Sequence, residues 1–132
     1  MIPIESDIML CVTNALKEIT PYVYFGKSQT VYPKINCDLR LFSETQEYCQ
    51  YRLVLDYYAN DGKPVTVVNM SETVRSIFYG GQAWTAEGAL ITFRKDGDGK
   101  NVEDRYEKIV PNEKIVHYED AYEIYYYKNQ EI

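Results

Sequence analysis

The stretch from Ile35 to Tyr58 constrains this chain more than any other. Ile35, Cys37, Leu39 and Leu41 alternate with Asn36, Asp38 and Arg40, and Tyr51, Leu53, Leu55 and Tyr57 alternate with Arg52, Val54, Asp56 and Tyr58. A period of two in both arms, joined by the polar run Ser43-Glu44-Thr45-Gln46-Glu47, describes two long strands folded on each other with one face buried. A turn centred on Thr45 sets Ile35 opposite Leu55, Cys37 opposite Leu53, Leu39 opposite Tyr51 and Leu41 opposite Cys49. The same register places Asp38 across from Arg52 and Lys34 across from Asp56, opposite-charge pairs worth roughly 0.2 to 1 kcal/mol each. Slipping one arm by a single residue would turn its apolar set to water, so this register is the expectation.

Helical spacing flanks the hairpin on both sides. Ile8, Val12, Ala15, Leu16 and Ile19 follow Ser6, a suitable N-cap, and predict a helix from about Asp7 to Glu18 that Thr20-Pro21 ends. Tyr22-Val23-Tyr24-Phe25 is a short strand closed by Gly26. Beyond the turn-rich run Ala59 to Pro64, the residues Val67, Met70, Val74, Ile77 and Phe78 predict an amphipathic helix from about Val65 to Tyr79, ended by Gly80-Gly81. Its apolar stripe is expected to cover the hairpin. Trp84 to Glu87 reads as irregular, Ala89 to Arg94 as a strand, and Lys95 to Asp104 as a charged, mobile loop. Strands from about Tyr106 to Val110 and from about Lys114 to Tyr127, joined at Pro111-Asn112-Glu113, close the chain. The expectation is one α+β domain over 1–132, a mainly antiparallel sheet with two helices on one face, in the order α-β-β-β-α-β-β-β.

Reactive constellations are not found. The one histidine, His117, falls in the middle of a strand and reads as an ordinary exposed residue, with no second histidine to build a metal site or a nucleophile and its base. Asp96-Gly97-Asp98-Gly99 begins like a calcium loop, but Lys100 and Asn101 stand where an oxygen ligand and the turn glycine belong. Cys11, Cys37 and Cys49 lack paired or metal-type spacing and read as reduced thiols in a protein made in the cytoplasm. No signal peptide precedes the first helix and no stretch has the roughly 18 apolar residues of a membrane span. No cofactor, metal or catalytic residue is expected.

Surface character therefore carries the functional reading. Twenty acidic residues against 14 basic ones leave a net charge of −6, without the basic cluster that gripping phosphates needs. Tyrosine is the unusual component, 14 in 132 residues, and it suits both half-exposed strands and protein interfaces. The hairpin's outer face carries Tyr32, Phe42, Tyr48, Val54 and Tyr58, and the last strand has tyrosines on both faces, Tyr118, Tyr122, Tyr125, Tyr126 and Tyr127. A sheet apolar on both sides is expected to be covered on both sides, by helices on one and by a neighbouring subunit on the other. The expected subunit interface is Phe42, Tyr48, Val54, Tyr58, Tyr122, Tyr125 and Tyr127. Asn60, Asp61, Lys63, Asp96, Asp98 and Lys100 are the expected loop contacts to partners.

The short first helix, Tyr22-Val23-Tyr24-Phe25-Gly26, the strand Tyr51 to Tyr58, the helix Val65 to Tyr79, the acidic loop and the closing strand Tyr122 to Lys128 come in an order that resembles the tail terminator (tail completion) proteins of tailed bacteriophages and prophages, particularly the small versions from phages of Gram-positive bacteria. The resemblance spans nearly the whole chain and rests on element order and texture. It implies a non-enzymatic virion protein, present in the host cytoplasm before assembly, that forms a ring, commonly a hexamer. Such a ring caps the tail tube and joins it to the head-completion protein, so the implied partners are other copies of the chain, the major tail tube protein and the head-completion protein. DNA would pass through without tight binding, which an acidic chain favours. The competing reading is a small acidic binding or inhibitor module, immunity-type or mimicking nucleic acid, which would need a dense carboxylate stripe; Glu119, Asp120 and Glu123 are a modest one.

Overall fold

The hairpin forms the middle of a sheet, as β2 (Lys34–Glu44) and β3 (Tyr48–Ala59). The computed structural model describes residues 2–78, 82–102 and 114–128; the expected strand Tyr106 to Val110, the joint at Pro111 to Glu113 and the glycines Gly80 and Gly81 lie outside them. Before the hairpin come α1 (Ile4–Leu16) and β1 (Val23–Phe25); after it come α2 (Pro64–Phe78), β4 (Gln82–Trp84), β5 (Leu90–Lys95), β6 (Lys100–Val102) and β7 (Val116–Tyr127). The strands lie in the order β1-β2-β3-β7-β5-β4, with β6 continuing along β7 where β5 leaves it. Among the described strand pairs β1 against β2 alone is parallel, so the sheet is mainly antiparallel, and both helices lie on one face, as the α+β expectation has it.

The alternation in β3 and β7 explains the two layers. Cys49, Tyr51, Leu53, Leu55 and Tyr57 of β3 lie beside Tyr126, Ile124, Tyr122, Asp120 and Tyr118 of β7, and nearly all of them are buried under the helices. From α1 come Ile8, Val12 and Leu16, and from α2 come Val67, Met70, Val74 and Phe78, the spacing of a helix with one apolar stripe. Phe78 stacks on Phe93 at 4.1 Å between ring centres and meets Tyr122 edge-on at 5.2 Å. Proline opens α2 because the first helical position needs no amide donor, and Asp61 steadies that end by accepting from the Lys63 amide and the Thr66 hydroxyl.

The hairpin register differs from the expectation by two residues. Ile35 pairs with Tyr57, Cys37 with Leu55, Leu39 with Leu53 and Leu41 with Tyr51. The turn is displaced because Thr45 accepts with its hydroxyl from the amides of Glu47 and Tyr48 and donates its own amide to the Tyr48 carbonyl, closing a tight Thr45–Tyr48 turn. A bulge between Leu41 and Ser43 absorbs the odd residue, Phe42. Asp38 thus stands opposite Val54, and Lys34 opposite Tyr58, so neither expected charge pair is directly opposed.

Smaller corrections follow the same logic of long-range pairing. The first helix starts at Ile4, after Pro3, and Ser6 lies inside it with no capping bond made by a side chain. Trp84 belongs to β4, which turns through Thr85–Gly88 into β5. Lys100–Val102, expected within a mobile loop, is strand β6, paired with Glu119, Tyr118 and His117. Lys114 forms an isolated bridge with Asp61 instead of opening the last strand. Among the described residues no helix is long and apolar enough to cross a membrane.

Candidate functional site

Both helices pack on one side, so the other side of the sheet has no helix on it among the described residues. Reading across β2, β3, β7 and β5, this outer face is laid out in bands. One band is Arg40, Arg52, Glu123 and Arg94; four residues along, Asn36, Asp56, Glu119 and Lys100 form another. Between them lies a shallow hollow of about 350 Å³ with Val54 at its base. Arg40 pairs with Asp38 at 2.8 Å, Arg52 with Asp96, and Lys100 with Glu119 at 3.7 Å, all with largely exposed side chains or exposed on one partner. Exposed pairs of this kind contribute little to stability, so the bands add little to folding.

Aromatic residues occupy the two ends of the face. At the hairpin end Tyr48, Tyr125 and Tyr127 cluster with ring centres 5.6 to 6.5 Å apart. At the same end Leu41, paired with the helix-facing Tyr51, and Phe42 at the bulge are 50% and 73% exposed. At the other end Tyr58 stacks on His117 at 4.1 Å, and the Lys34 ammonium lies 5.3 Å from the Tyr32 ring and 5.1 Å from the Tyr58 ring. His117 is not the exposed residue expected: it is 9% exposed, and its Nε2 is 2.6 Å from Asp56 Oδ1.

Of the expected interface residues, the structure brings Tyr48, Tyr125 and Tyr127 together, with Phe42 on the same hairpin tip. Val54 is half-buried in the middle of the face and Tyr58 belongs to the opposite end. Tyr122 is a correction: it has the parity of Ile124 and Tyr126, faces the helices and is 2% exposed, so no neighbouring subunit reaches it. Among the expected loop contacts, Asn60, Asp61 and Lys63 are exposed beside α2, whereas Asp96, Asp98 and Lys100 belong to a segment held against β7.

A second feature was not anticipated. Asp120, read from the sequence as part of an acidic stripe, is 1% exposed on the helix-facing side. Its Oδ2 accepts from the Tyr57 hydroxyl at 2.8 Å and from the Ser71 hydroxyl, tying β3 and α2 to β7. Its Oδ1 is met by the Lys95 ammonium at 3.0 Å, an ion pair without the alignment of a directed hydrogen bond. The Lys95 head also donates to the Gly97 carbonyl at 3.0 Å and lies 5.4 Å from the Tyr122 ring. Burial, with the Asp120 charge next to it, pushes the Tyr57 hydroxyl far above the usual phenol range, and the same two causes raise Tyr122 and Tyr118. A similar arrangement at the other end has Tyr126 donating to the fully buried Asp7 at 2.8 Å, which joins α1 to β7. The strict alternation of β7 would have placed Asp120 with Tyr118, Tyr122 and Ile124, and that was the available signal.

Chemically, the Asp120 cluster is a hub. A cavity of about 330 Å³ opens beside it, between α2 and the Asp96–Gly99 segment, with Glu72, Arg75 and Asp98 also lining it. Asp120 Oδ2 is taken up by the hydroxyls of Tyr57 and Ser71, whereas Oδ1 has the Lys95 ion pair without a directed hydrogen bond. Among the described residues no three of histidine, cysteine, aspartate and glutamate converge as metal ligands would. Burial of Asp120 also divides the acidic stripe, leaving Glu119 and Glu123 on the outer face, opposite Lys100 and opposite Arg52 and Arg94. No protein-family model matches the chain, and no curated protein matches it.

Proposed function

We propose that this chain is a non-enzymatic assembly protein of a tailed phage or prophage, a tail terminator that closes into a ring, hexameric in the virion, capping the tail tube and joining tail to head. The observation that carries the reading is the hairpin end of the sheet, where Tyr48, Tyr125 and Tyr127 cluster on the outer face and Leu41 and Phe42 are exposed. Tyrosine is favoured where one end of a side chain is dry and the other wet, and aromatic anchors supply most of the energy of protein interfaces. Ring closure needs two different patches on each subunit. The helix side offers the second, with Leu10 of α1 and Val65 of α2 45% and 57% exposed.

Net charge supports the same reading. At −6 the chain would repel DNA sliding through a ring. The partners are then further copies of the chain, the major tail tube protein and the head-completion protein. The reading as an acidic mimic is less well supported, because Asp120 is missing from the carboxylate stripe that mimicry requires. Electron microscopy of the purified chain mixed with a major tail tube protein from the same genome tests the proposal. Rings of uniform diameter at one end of the tubes are the expected result; tubes left bare at both ends, with the chain unbound, would overturn it.

A further inference from the structure

The segment Asp96–Gly99 runs along the edge of β7 between the end of β5 and the start of β6, and its geometry depends on glycine. Gly97 has φ of 71°, a conformation side chains disfavour, and a Cβ on Gly99 would come within 2.4 Å of Asp120 Oδ1 and 2.3 Å of Tyr118 Cε2. Three ties hold the segment down. The Asp96 amide donates to the Ala121 carbonyl at 2.9 Å, the Asp96 carboxylate meets Arg52 on the outer face, and Lys95 joins the Gly97 carbonyl to Asp120. Of these, the Lys95 tie alone ends on the carboxylate that also holds α2 through Ser71. On the α2 side the segment borders the cavity of about 330 Å³, which Val68, Ser71, Glu72 and Arg75 line from the helix.

We propose that Asp96–Gly99 is a strap that opens as a unit, latched by Lys95 onto Asp120, and that its opening loosens α2 because both ride on the same buried carboxylate. A partner that engaged Asp96 or Asp98 would thereby be felt at the helix layer. The device is independent of the ring reading.

Amide hydrogen exchange of the full chain, read by peptide mass spectrometry, tests it. In Lys95→Met the strap peptide is expected to exchange about tenfold faster, the peptide around Ser71 faster by a smaller factor, and the β2–β3 hairpin at the wild-type rate. Lys95→Met leaves a buried carboxylate without its cation, so Lys95→Met combined with Asp120→Asn removes both charges and is expected to give the same pattern in a folded chain. Gly99→Ala displaces the strap sterically and is expected to do likewise. Wild-type exchange of the strap in the double variant and in Gly99→Ala, or an acceleration spread equally over strap and hairpin, would overturn the proposal.

Discussion

Tyr57→Phe removes one of the two hydroxyls that Asp120 Oδ2 accepts and leaves the buried carboxylate short of a donor. Bonds to charged groups being the stronger ones, the expected loss is about 1.5 to 3 kcal/mol, read from urea denaturation midpoints; a loss under about 0.5 kcal/mol, the usual range for a surface substitution, would show that the hub contributes little. The buried phenols also set the response to alkali. Burial, chiefly, pushes the Tyr51 hydroxyl up to about 12, and raises those of Tyr57, Tyr122 and Tyr126 still further. A raised folded-state value means that the native chain holds these protons more tightly than the unfolded one. Their stabilisation is therefore complete below the unfolded phenol value of about 10 and lost as the pH climbs through the folded values. Thermal unfolding followed by circular dichroism is expected to give a melting temperature that falls steeply above about pH 10; one unchanged to about pH 12 would contradict the assignment. The inward side of Asp120 was legible in the alternation of β7, but its partners were not, because Tyr57 and Ser71 are 63 and 49 residues away.

At the scale of elements, the apolar alternation of the hairpin identified which residues face the core, since Leu53 and Leu55 are fully buried and Arg52 is exposed. It could not choose between registers two residues apart, because a slip of two keeps every side chain on its own face. The choice was made by the Thr45 hydroxyl and the bulge at Phe42, neither of which changes the periodicity. An engineered pair tests the register. With the native cysteines replaced, Asp38→Cys with Val54→Cys is expected to oxidise to a disulfide in the folded chain, and Asp38→Cys with Arg52→Cys is not; the reverse would restore a turn centred on Thr45. Leu53→Ala, at the centre of the same strand, is expected to lower stability by about 2 to 5 kcal/mol in denaturant titration. The short strands β4 and β6 escaped sequence reading because three residues are too few for a period to show, and both exist by pairing with a longer neighbour.

For the whole molecule, the layers and the helix-free face were readable from pattern alone, while the arrangement of that face was not. The sequence set apolar side chains among charges on the outer face, and the structure sorts them into two aromatic ends with charged bands between. This narrows the outer-face half of the proposed self-association surface to the hairpin tip. Replacing Tyr48, Tyr125 and Tyr127 together by serine leaves the helix-facing core untouched, because all three lie on the outer face. Light scattering coupled to size-exclusion chromatography, on concentrated wild type and on this triple variant, tests the central claim most directly. Wild type at a multiple of the monomer mass, reaching six for a closed ring as the family resemblance implies, and the folded variant at monomer mass is the predicted result. The same mass for both proteins would contradict it.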